Sequence, residues 1–479
     1  MELLELDLDV ILTIIQHIDP ADIIRLGQTC RVFRSICEES AIWIAALRRM
    51  RRNSSVYPPT LPPWNYTSLA QIQREITAPD RFISLLKNHH KRSGVGNAAL
   101  EPQHRRIIHP LVSEEIYYNT VVLVSGGRVL VTGSVRYLSI WDLTQDIPRE
   151  LYTWDFGVYH IVGVCPTEQG YLRIVAVSPV IVGREIDLAI FDFDYATSKP
   201  QGRYTLKWEL DGDAGVFFPM HTLVGDQFIY TYKGVLFIWN FIEDTWSSWS
   251  IIDEGYEELF VEPTSNLIIF ISRKAVSGWR PDPRISVSRH MAKASPKPLK
   301  PEFVVDIPNL PPGVDQANYA GDRMWNREAI WYKSSDFSCL FDIASMDEGQ
   351  TNYTFSSYEI HVPTSRESGR VEFISKSLLP LGGPASSETA VNAYRISNGK
   401  FFKIWSNEGR IQLAFRDDPR TPADRLEEDR YIQVDLSIPD ILDAETLGIG
   451  AFSFDPVSGR LCHIDEDNNV IVVLDYLPQ

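Results

Sequence analysis

The sequence predicts a multidomain α + all-β protein, in which a helical bundle at the N-terminus precedes a β-rich body. Three observations lead to this fold class. The chain has 479 residues, more than one hydrophobic core usually holds. Apolar residues follow helical spacing near the N-terminus and a two-residue period from about residue 105 onward. We therefore expect a helical domain in residues 1–50, a Pro-rich and helical connector in residues 51–103, and the β-rich body in residues 104–479.

The first predicted helix is apolar on more sides than a small bundle can bury. In residues 7–18, seven Leu, Ile and Val side chains cover an arc of about 200°, about twice the stripe that a one-sided helix needs. Asp19-Pro20 then provides an N-cap and a first-turn proline for a second helix. A third helix is expected from about Thr29 to Glu38, and Ser40 caps a fourth. Part of the apolar arc should therefore contact another protein.

The order of apolar and charged residues from Leu6 to Trp43 resembles a known domain. The series is Leu6, Val10, Ile11, Ile14, Ile18, Asp19-Pro20, Asp22, Ile23-Ile24, Arg25-Leu26, Cys30-Arg31, Phe33-Arg34 and Trp43. It resembles an F-box, in register over residues 4–47. The resemblance implies docking onto the Skp-type adaptor of SCF-type (Skp–cullin–F-box) ubiquitin ligases and, through the adaptor, onto the cullin. It also implies the adaptor-binding or directly supporting positions, which are Leu6, Val10, Ile11, Ile14, Ile18, Pro20, Ile24, Leu26, Cys30 and Trp43.

Two positions depart from the F-box pattern. Asp7 stands where the family has a proline, and Phe33 stands where it has a tryptophan. Aspartate suits a helix start and phenylalanine keeps an aromatic side chain, so we expect adaptor affinity to be tuned rather than lost. The alternative interpretation of the whole segment is a self-contained helical cap on the following domain.

The connector is predicted to be a semi-rigid spacer. Two helices are predicted after a Pro-rich stretch. The first is SLAQIQREI, begun by Ser68 or Thr67, and the second is APDRFISLLKNHHKR. The basic run Arg48–Arg52 ends the fourth helix, where it complements the helix dipole. A nuclear-localisation or phosphate-binding role for this run is the alternative.

The body is predicted to consist of recurring β-rich units of about 50 residues. An aromatic residue or leucine followed by Asp or Asn marks predicted strand ends at Trp141-Asp142, Phe191-Asp192, Trp239-Asn240, Phe341-Asp342 and Leu474-Asp475. Four-stranded units at this period are typical of a β-propeller, here with about seven blades. The last unit holds three strands, and residues 105–112 would supply the fourth and close the ring.

The body also resembles a degenerate WD-repeat propeller. It lacks the Gly-His dipeptides of that family, and the fourth and sixth units lack the aromatic-Asp mark. Long insertions at residues 289–302 and 345–357 further blur the repeat.

Composition and charge narrow the classes of function. No apolar run reaches the roughly 18 residues of a membrane span, and the acidic N-terminus lacks the basic region of a secretory signal. Five scattered cysteines fit neither a disulfide framework nor a metal site, so we expect a cytoplasmic or nuclear protein with no membrane partner. Residues 111–479 hold 32 basic against 52 acidic side chains. This acidic body argues against nucleic-acid binding and is compatible with basic protein partners, although a well-solvated surface explains it more simply.

The sequence contains no motif that indicates an enzyme. It has no H-E-x-x-H, G-x-S-x-G, Walker-A or G-x-G-x-x-G pattern, and the glycines of SGGRVLVTGS suit a hairpin instead. His89, His90, His104 and His109 lack the cysteines or carboxylates of a metal site. Tryptophans 239, 246, 249, 279, 325 and 331 are expected to fill the space between blades rather than to stack a ligand. We therefore predict no catalytic residues, metal or cofactor.

These expectations together predict a non-catalytic substrate receptor of an SCF-type ubiquitin ligase. Its helices would dock on the Skp-type adaptor, and its propeller would bind a target protein for ubiquitination. The sequence does not identify the target or the residues that bind it. Two alternatives stay open, a propeller scaffold in a complex other than a ligase and a propeller enzyme acting on a small or glycan ligand.

Overall fold

The protein is described by a computed structural model. The structure describes residues 7–53, 57, 68–93, 98–109, 117–134, 136–155, 160–167, 169–177, 185–209, 221–232, 234–251, 256–262, 267–272, 275–281, 287–288, 297–307, 338–346, 353–361, 372–380, 391–395, 401–407, 410–416, 431–438, 452–465 and 469–478. Leu6, Trp325 and Trp331 lie outside these residues. Among the described helices, none combines the length and the apolar character that crossing a membrane requires.

Four helices form the N-terminal bundle and two more follow in the connector. They are α1 (Leu8–Ile15), α2 (Pro20–Thr29), α3 (Arg31–Cys37), α4 (Ser40–Asn53), α5 (Leu69–Ile76) and α6 (Ala78–Ser93). Helix α1 ends three residues before its predicted end, because the next three residues tighten into a turn. Pro20 opens α2 as predicted, and Asp19 takes the N-cap position without a side-chain capping bond. Helix α4 begins at Ser40 itself, so the prediction that Ser40 precedes this helix as its cap is off by one residue.

Helix α5 joins the bundle to the connector. Its N-cap is Ser68, whose Oγ accepts a hydrogen bond from the Gln71 backbone N at 3.2 Å, as the sequence predicts. Ile72 and Ile76 of α5 are buried in the hydrophobic core of the N-terminal helices. The same core also contains Val457, which comes from the β-rich body. The helices and the body therefore share one hydrophobic core at this point.

Helix α6 packs directly on the β-rich body. Phe82 is fully buried in a core that combines other residues of α6, Leu100 and residues from two sheets of the body. Gly459 makes this contact close, because a Cβ there would lie 2.8 Å from the Phe82 ring. Gly459 also has a positive φ of +64°, a conformation that other residues rarely adopt. A salt bridge between Glu75 and Arg128 joins the connector to the body as well.

The described strands form seven sheets, in which the strands pair antiparallel except where one short strand pairs parallel with the third sheet. Strand β1 (His104–Ile108) precedes the first sheet, which contains β2 (Tyr118–Leu123), β3 (Val129–Ser134), β4 (Tyr137–Asp142) and β5 (Arg149–Asp155). The second sheet contains β6 (His160–Pro166), β7 (Leu172–Val177), β8 (Glu185–Asp194) and β9 (Lys199–Glu209). The third contains β10 (His221–Val224), β11 (Gln227–Tyr232), β12 (Val235–Asn240) and β13 (Thr245–Ser250).

The remaining sheets follow in the same order along the chain. The fourth contains β14 (Tyr256–Glu262), β15 (Leu267–Ser272), β16 (Ala275–Trp279) and β19 (Phe303–Asp306), while the intervening β17 (Val287–Ser288) and β18 (Lys297–Pro298) pair with β13 of the third. The fifth contains β20 (Ser338–Met346), β21 (Tyr353–His361) and β22 (Glu372–Pro380). The sixth contains β23 (Val391–Arg395), β24 (Phe401–Asn407), β25 (Arg410–Arg416) and β26 (Tyr431–Leu436). The seventh contains β27 (Phe452–Asp455), β28 (Arg460–Asp465) and β29 (Val470–Asp475).

The first strand of the body completes the last sheet. Strand β1 pairs antiparallel with β29, in a register that runs from His104 opposite Asp475 to Ile108 opposite Ile471. The sequence predicts that residues 105–112 supply the missing strand of the last unit, and this pairing is present. Three strands from the end of the chain and one from its first quarter thus form a single four-stranded sheet.

Hydrophobic layers lie between neighbouring sheets. Separate clusters of buried residues join the seventh sheet to the first, the first to the second, the second to the third, the third to the fourth, and the sixth to the seventh. Strand β7, with the sequence LRIVAV, shows why all its residues except Arg173 are apolar, without alternation. Ile174 and Ala176 face the first sheet, whereas Val175 and Val177 face the third. Sheets that are buried on both faces and follow one another in this way have the architecture of a β-propeller.

Buried arginines also link successive sheets. Arg173 on β7 makes two hydrogen bonds to Asp192 on β8, at 2.6 and 2.7 Å, and reaches the Gly225 carbonyl oxygen of the third sheet at 2.7 Å. Arg460 on β28 bonds Asp475 on β29 and the Gly127 carbonyl oxygen of the first sheet in the same manner. Each arginine therefore joins the second and third strands of its own sheet to the first turn of the next sheet.

The predicted strand-end mark holds at three of its five positions and fails at one. Trp141-Asp142, Trp239-Asn240 and Leu474-Asp475 end the third strands of their sheets, and Phe191-Asp192 lies two residues before the end of β8. Phe341-Asp342 instead lies inside β20, so this copy of the mark is wrong. The Asx turn predicted after the mark forms at Asp142, whose Oδ1 accepts from the Thr144 backbone N at 2.9 Å.

Substitution of His463 is expected to remove a pH dependence from the stability of the body. This side chain is 1% exposed on β28, and burial lowers its pKa from 6.5 to about 4. Because the unfolded chain then binds the proton more tightly, stability falls as the pH is lowered from about 6.5 to about 4. In the His463→Leu variant, the melting temperature should therefore change less with pH over this range than in the unsubstituted protein. The same pH profile in both proteins would contradict the expectation.

Candidate docking surface on the N-terminal helices

The N-terminal helices display a concentration of exposed apolar side chains. Of the ten exposed large apolar residues in the part of the chain that the structure describes, five lie between residues 8 and 32. These five, which we call the apolar flank, are Leu8 (55% exposed), Val10 (46%), Ile14 (41%), Ile24 (38%) and Val32 (53%). Single exposed apolar residues are ordinary on a protein surface, whereas this concentration on three short helices is typical of an interaction site.

The helical geometry of α1 explains why only part of its apolar arc is exposed. Ile11 and Ile15 are four residues apart on one face and are 5% and 1% exposed in the helical core. Val10 and Ile14 have the same spacing on a neighbouring face, where they are 46% and 41% exposed. The predicted arc is therefore divided into an inner face that holds the bundle together and an outer face that stays exposed.

The predicted adaptor-binding residues fall into three groups by exposure. Val10, Ile14 and Ile24 are exposed. The half-buried members are Ile18, Pro20, Leu26 and Cys30, and the buried members are Ile11 and Trp43. Leu6 lies outside the described residues. Leu8 and Val32 are exposed but absent from the predicted set. The sequence pattern that could have identified them is an apolar residue next to charged ones, since Leu8 lies between Asp7 and Asp9 and Val32 follows Arg31.

The two departures from the F-box pattern have distinct structural roles. Phe33 is 6% exposed in the helical core, and its backbone N donates to the Cys30 Sγ at 3.5 Å. The exposed Asp7 immediately precedes α1, where its backbone carbonyl oxygen accepts from the N–H groups of Val10 and Ile11 at 3.0 and 3.1 Å. Phenylalanine thus fills a core position, and aspartate serves as a helix start.

Substitution of Trp43 is expected to weaken the folding of the helices rather than to remove a contact surface. Its side chain is 1% exposed, and its Nε1 donates to the Cys37 carbonyl oxygen at 2.6 Å. Trp43→Phe should lower the free energy of unfolding of the bundle by about 2 kcal/mol, through the lost hydrogen bond and the reduced packing. Hydrogen exchange of the amides in α3 and α4 measures this effect. Unchanged exchange would show that Trp43 does not stabilise the bundle.

Charged groups around the apolar flank contribute little to its energetics. Asp22 and Arg25 lie on either side of Ile24 and form an ion pair at 2.6 Å, with side chains 51% and 75% exposed. An ion pair this exposed is worth little in water. Burial raises the pKa of the Cys37 thiol beneath the surface, which keeps this side chain neutral in the core. This ion pair therefore adds little to the binding free energy that burial of the apolar side chains would supply.

The other residues that the sequence offered as sites have structural roles where the structure describes them. Trp239, Trp246, Trp249 and Trp279 are 1%, 8%, 2% and 0% exposed and lie in the layers between sheets, as predicted. The glycines at 126 and 127 have positive φ in the turn between β2 and β3, which is their predicted hairpin role.

The four histidines at positions 89, 90, 104 and 109, which lack metal-site partners in the sequence, are predicted to be solvent-exposed, and this holds for His104 and His109. His89 and His90 are half-buried, and each bonds a backbone carbonyl oxygen. Within the described ranges, no group of three or more His, Cys, Asp or Glu residues has the geometry of a metal site.

Comparison with known proteins identifies the helical segment. Residues 3–45 match the model of the F-box domain. No curated protein sequence matches the chain. Among solved structures, the chain is similar to the β-propeller domain of Cps50 (Swd1) from Myceliophteria thermophila, with 11% identity and a TM-score of 0.41 over 78% of this chain and 99% of that one. It is also similar to the extracellular domain of a hybrid two-component system from B. thetaiotaomicron, with 11% identity and a TM-score of 0.36 over 78% of this chain and 40% of that one.

The architecture of the body is defined by its strand pairing and by the hydrophobic layers between its sheets. The helical segment is different, because the family match coincides with the helices that carry the apolar flank. Residues 3–45 of this chain are an F-box domain.

Proposed function

We propose that the protein is the substrate-recognition subunit of an SCF-type ubiquitin ligase. The observation that supports the proposal is the apolar flank, whose side chains are 38% to 55% exposed on an F-box domain. F-box domains generally bind Skp-type adaptors, and an adaptor would cover the apolar side chains of α1 and α2. The adaptor would in turn connect the receptor to the cullin and to the ubiquitin-conjugating enzyme.

The body is proposed to be a closed seven-bladed ring. Support comes from strand β1, which completes the sheet formed by the last three strands of the chain. Strand β2 of the first sheet also contacts β27 and β28 of that last sheet on one side and β6 of the second sheet on the other. Such pairing would leave the ring without an open edge between its ends.

The target is proposed to bind the face of the ring away from the helices. The connector contacts turns between the first and second strands of three sheets, where Tyr57 bonds the carbonyl oxygens of Ser125 and Gly170 and Phe82 packs on Gly459. In an antiparallel sheet the turns between second and third strands lie at the opposite end of the strands. At that opposite end the ring would present the target toward the ligase.

The receptor would accelerate ubiquitination without making or breaking a bond itself. By holding the target near the ubiquitin thioester, it would convert an encounter between two proteins into a reaction within one complex. We place it in the cytoplasm or nucleus, because the four cysteines in the described residues are free thiols, which a reducing compartment preserves.

Co-purification tests the proposal. The full-length chain, carrying an affinity tag and produced in cells, should retain a Skp-type adaptor and a cullin through washing at moderate salt. Inhibition of cullin activity should then stabilise the proteins that proximity labelling finds beside the receptor. If neither adaptor nor cullin co-purifies, the ligase proposal fails, and the alternative of a propeller scaffold in another complex is favoured.

A further inference from the structure

Helix α1 lacks a basic residue of its own at its C-terminal end. The helix has eight residues, and its last turn contains no Lys, Arg or His. The last carbonyl groups of a helix have no partners within the helix and carry the negative end of its dipole. In α1, the carbonyls of Leu12, Ile14 and Ile15 receive backbone N–H groups from the turn that follows. The carbonyl oxygens of Gln16 and Ile18 need partners from elsewhere.

Arg49 supplies these partners from another helix. Its guanidinium Nη1 donates to the Gln16 carbonyl oxygen and its Nη2 donates to the Ile18 carbonyl oxygen. The two ends of one planar guanidinium thus bridge two carbonyls of the turn that ends α1, with a positive charge at the negative end of the helix. The sequence indicated that the basic run Arg48–Arg52 complements its own helix α4, whereas Arg49 complements α1.

The helix that carries Arg49 is itself firmly held. Leu47 and Met50 of α4 are 3% and 6% exposed in the helical core, on either side of Arg49 in the sequence. Trp43 anchors the beginning of the same helix through its hydrogen bond to Cys37. Arg49 therefore projects from a rigid element onto a short one. An isolated helix of eight residues is only marginally stable in water, so α1 depends on such external contacts.

We propose that Arg49 is a positioning residue for adaptor docking, although it lies outside the residues that match the F-box domain. It holds the C-terminal turn of α1 so that Val10 and Ile14 are presented in one fixed orientation before the adaptor arrives. This inference rests on the proposed function, because its effect is on the affinity for the adaptor. Without Arg49, α1 is ordered for only a fraction of the time, and the apparent affinity falls to that fraction of its original value.

Titration of the full-length protein with a purified Skp-type adaptor tests the inference. Arg49→Gln should weaken binding about tenfold, as expected for the loss of charge-assisted hydrogen bonds that order the binding helix. In the free protein, amide hydrogen exchange should accelerate in residues 8–18 and stay unchanged in α5, α6 and the sheets. In the complex, exchange in residues 8–18 should return to that of the unsubstituted protein, because the adaptor then orders the helix.

Two further variants make the result specific. Arg92→Gln removes an exposed arginine from the end of α6, and it should leave the affinity and the exchange in residues 8–18 unchanged. Arg49→Lys keeps the charge and one donor, and should give an affinity between those of the unsubstituted protein and Arg49→Gln.

The outcomes separate the inference from the function on which it rests. If the unsubstituted protein does not bind the adaptor, the proposed function fails. If it binds and Arg49→Gln binds equally well, Arg49 has no positioning role. A weakened Arg49→Gln variant whose exchange accelerates throughout the helices and sheets would also overturn the inference, because Arg49 would then support overall folding only.

Discussion

Ile14→Asp is expected to abolish binding of the Skp-type adaptor while the rest of the protein stays folded. Ile14 is 41% exposed in the free chain, so a carboxylate there remains hydrated and the fold tolerates it. In the complex the same carboxylate would be buried against apolar groups without a partner, at a cost of about 3 kcal/mol or more. The affinity should therefore fall at least ~100-fold, measured by titration of the full-length protein with the adaptor.

The matched control for this prediction is the same substitution at another exposed isoleucine. Ile147 is 81% exposed in the turn between β4 and β5 and does not belong to the helices. Ile147→Asp should leave adaptor affinity unchanged, and both variants should keep the melting temperature of the unsubstituted protein. Full adaptor binding by Ile14→Asp would remove α1 from the docking surface, and equal losses in both variants would show that added negative charge weakens binding in general.

Asp475→Asn is expected to destabilise the body strongly, because it removes the anion that two buried arginines share. Asp475 is 3% exposed and pairs with Arg106 of β1 at 2.7 Å and with Arg460 of β28. Asparagine has the same shape but no charge, so the two guanidinium groups would be left buried without their counter-charge. Breaking a buried ion pair in this way costs about 3–5 kcal/mol. Urea unfolding followed by tryptophan fluorescence should show this loss in the free energy of unfolding.

An exposed aspartate provides the control for this second prediction. Asp155 makes a two-bond contact with Arg136, at 3.0 and 2.9 Å, yet both side chains are more than half exposed. Because water screens this pair, Asp155→Asn should cause no measurable change in stability. If the two variants lost the same amount, burial would not be the reason for the importance of Asp475. If neither lost stability, the link between β1 and the last sheet would rest on its backbone pairing alone.

Much of the fold follows from the local conformational preferences of residues and from the spacing of apolar residues along the sequence. Pro20 and Ser68 mark helix starts by their intrinsic preferences, and the two-residue period in the body predicts strands in nearly the right places. The pairing of β1 with β29 was predicted from an incomplete last unit and a spare strand before the first. In each case the information lies within a few residues or in a simple count of strands.

The features that the sequence did not predict depend on contacts between distant segments. An arc of seven apolar residues shows that α1 is apolar nearly all round, but the packing of α3, α4 and α5 decides that Ile11 faces inward and Val10 outward. The pairing of β17 and β18 with β13 places part of one unit on the edge of another, which no periodicity indicates. The bonds from Arg49 to the end of α1 likewise join positions more than thirty residues apart.

The presence of Val457 in the core of the N-terminal helices has a consequence for synthesis of the protein. During synthesis, the N-terminal helices leave the ribosome long before Val457 is made. The helices therefore emerge before this residue can complete their hydrophobic core. A chain that ends early, through a premature stop codon or proteolysis, lacks Val457. Its helices would therefore be packed less tightly than those of the full-length product.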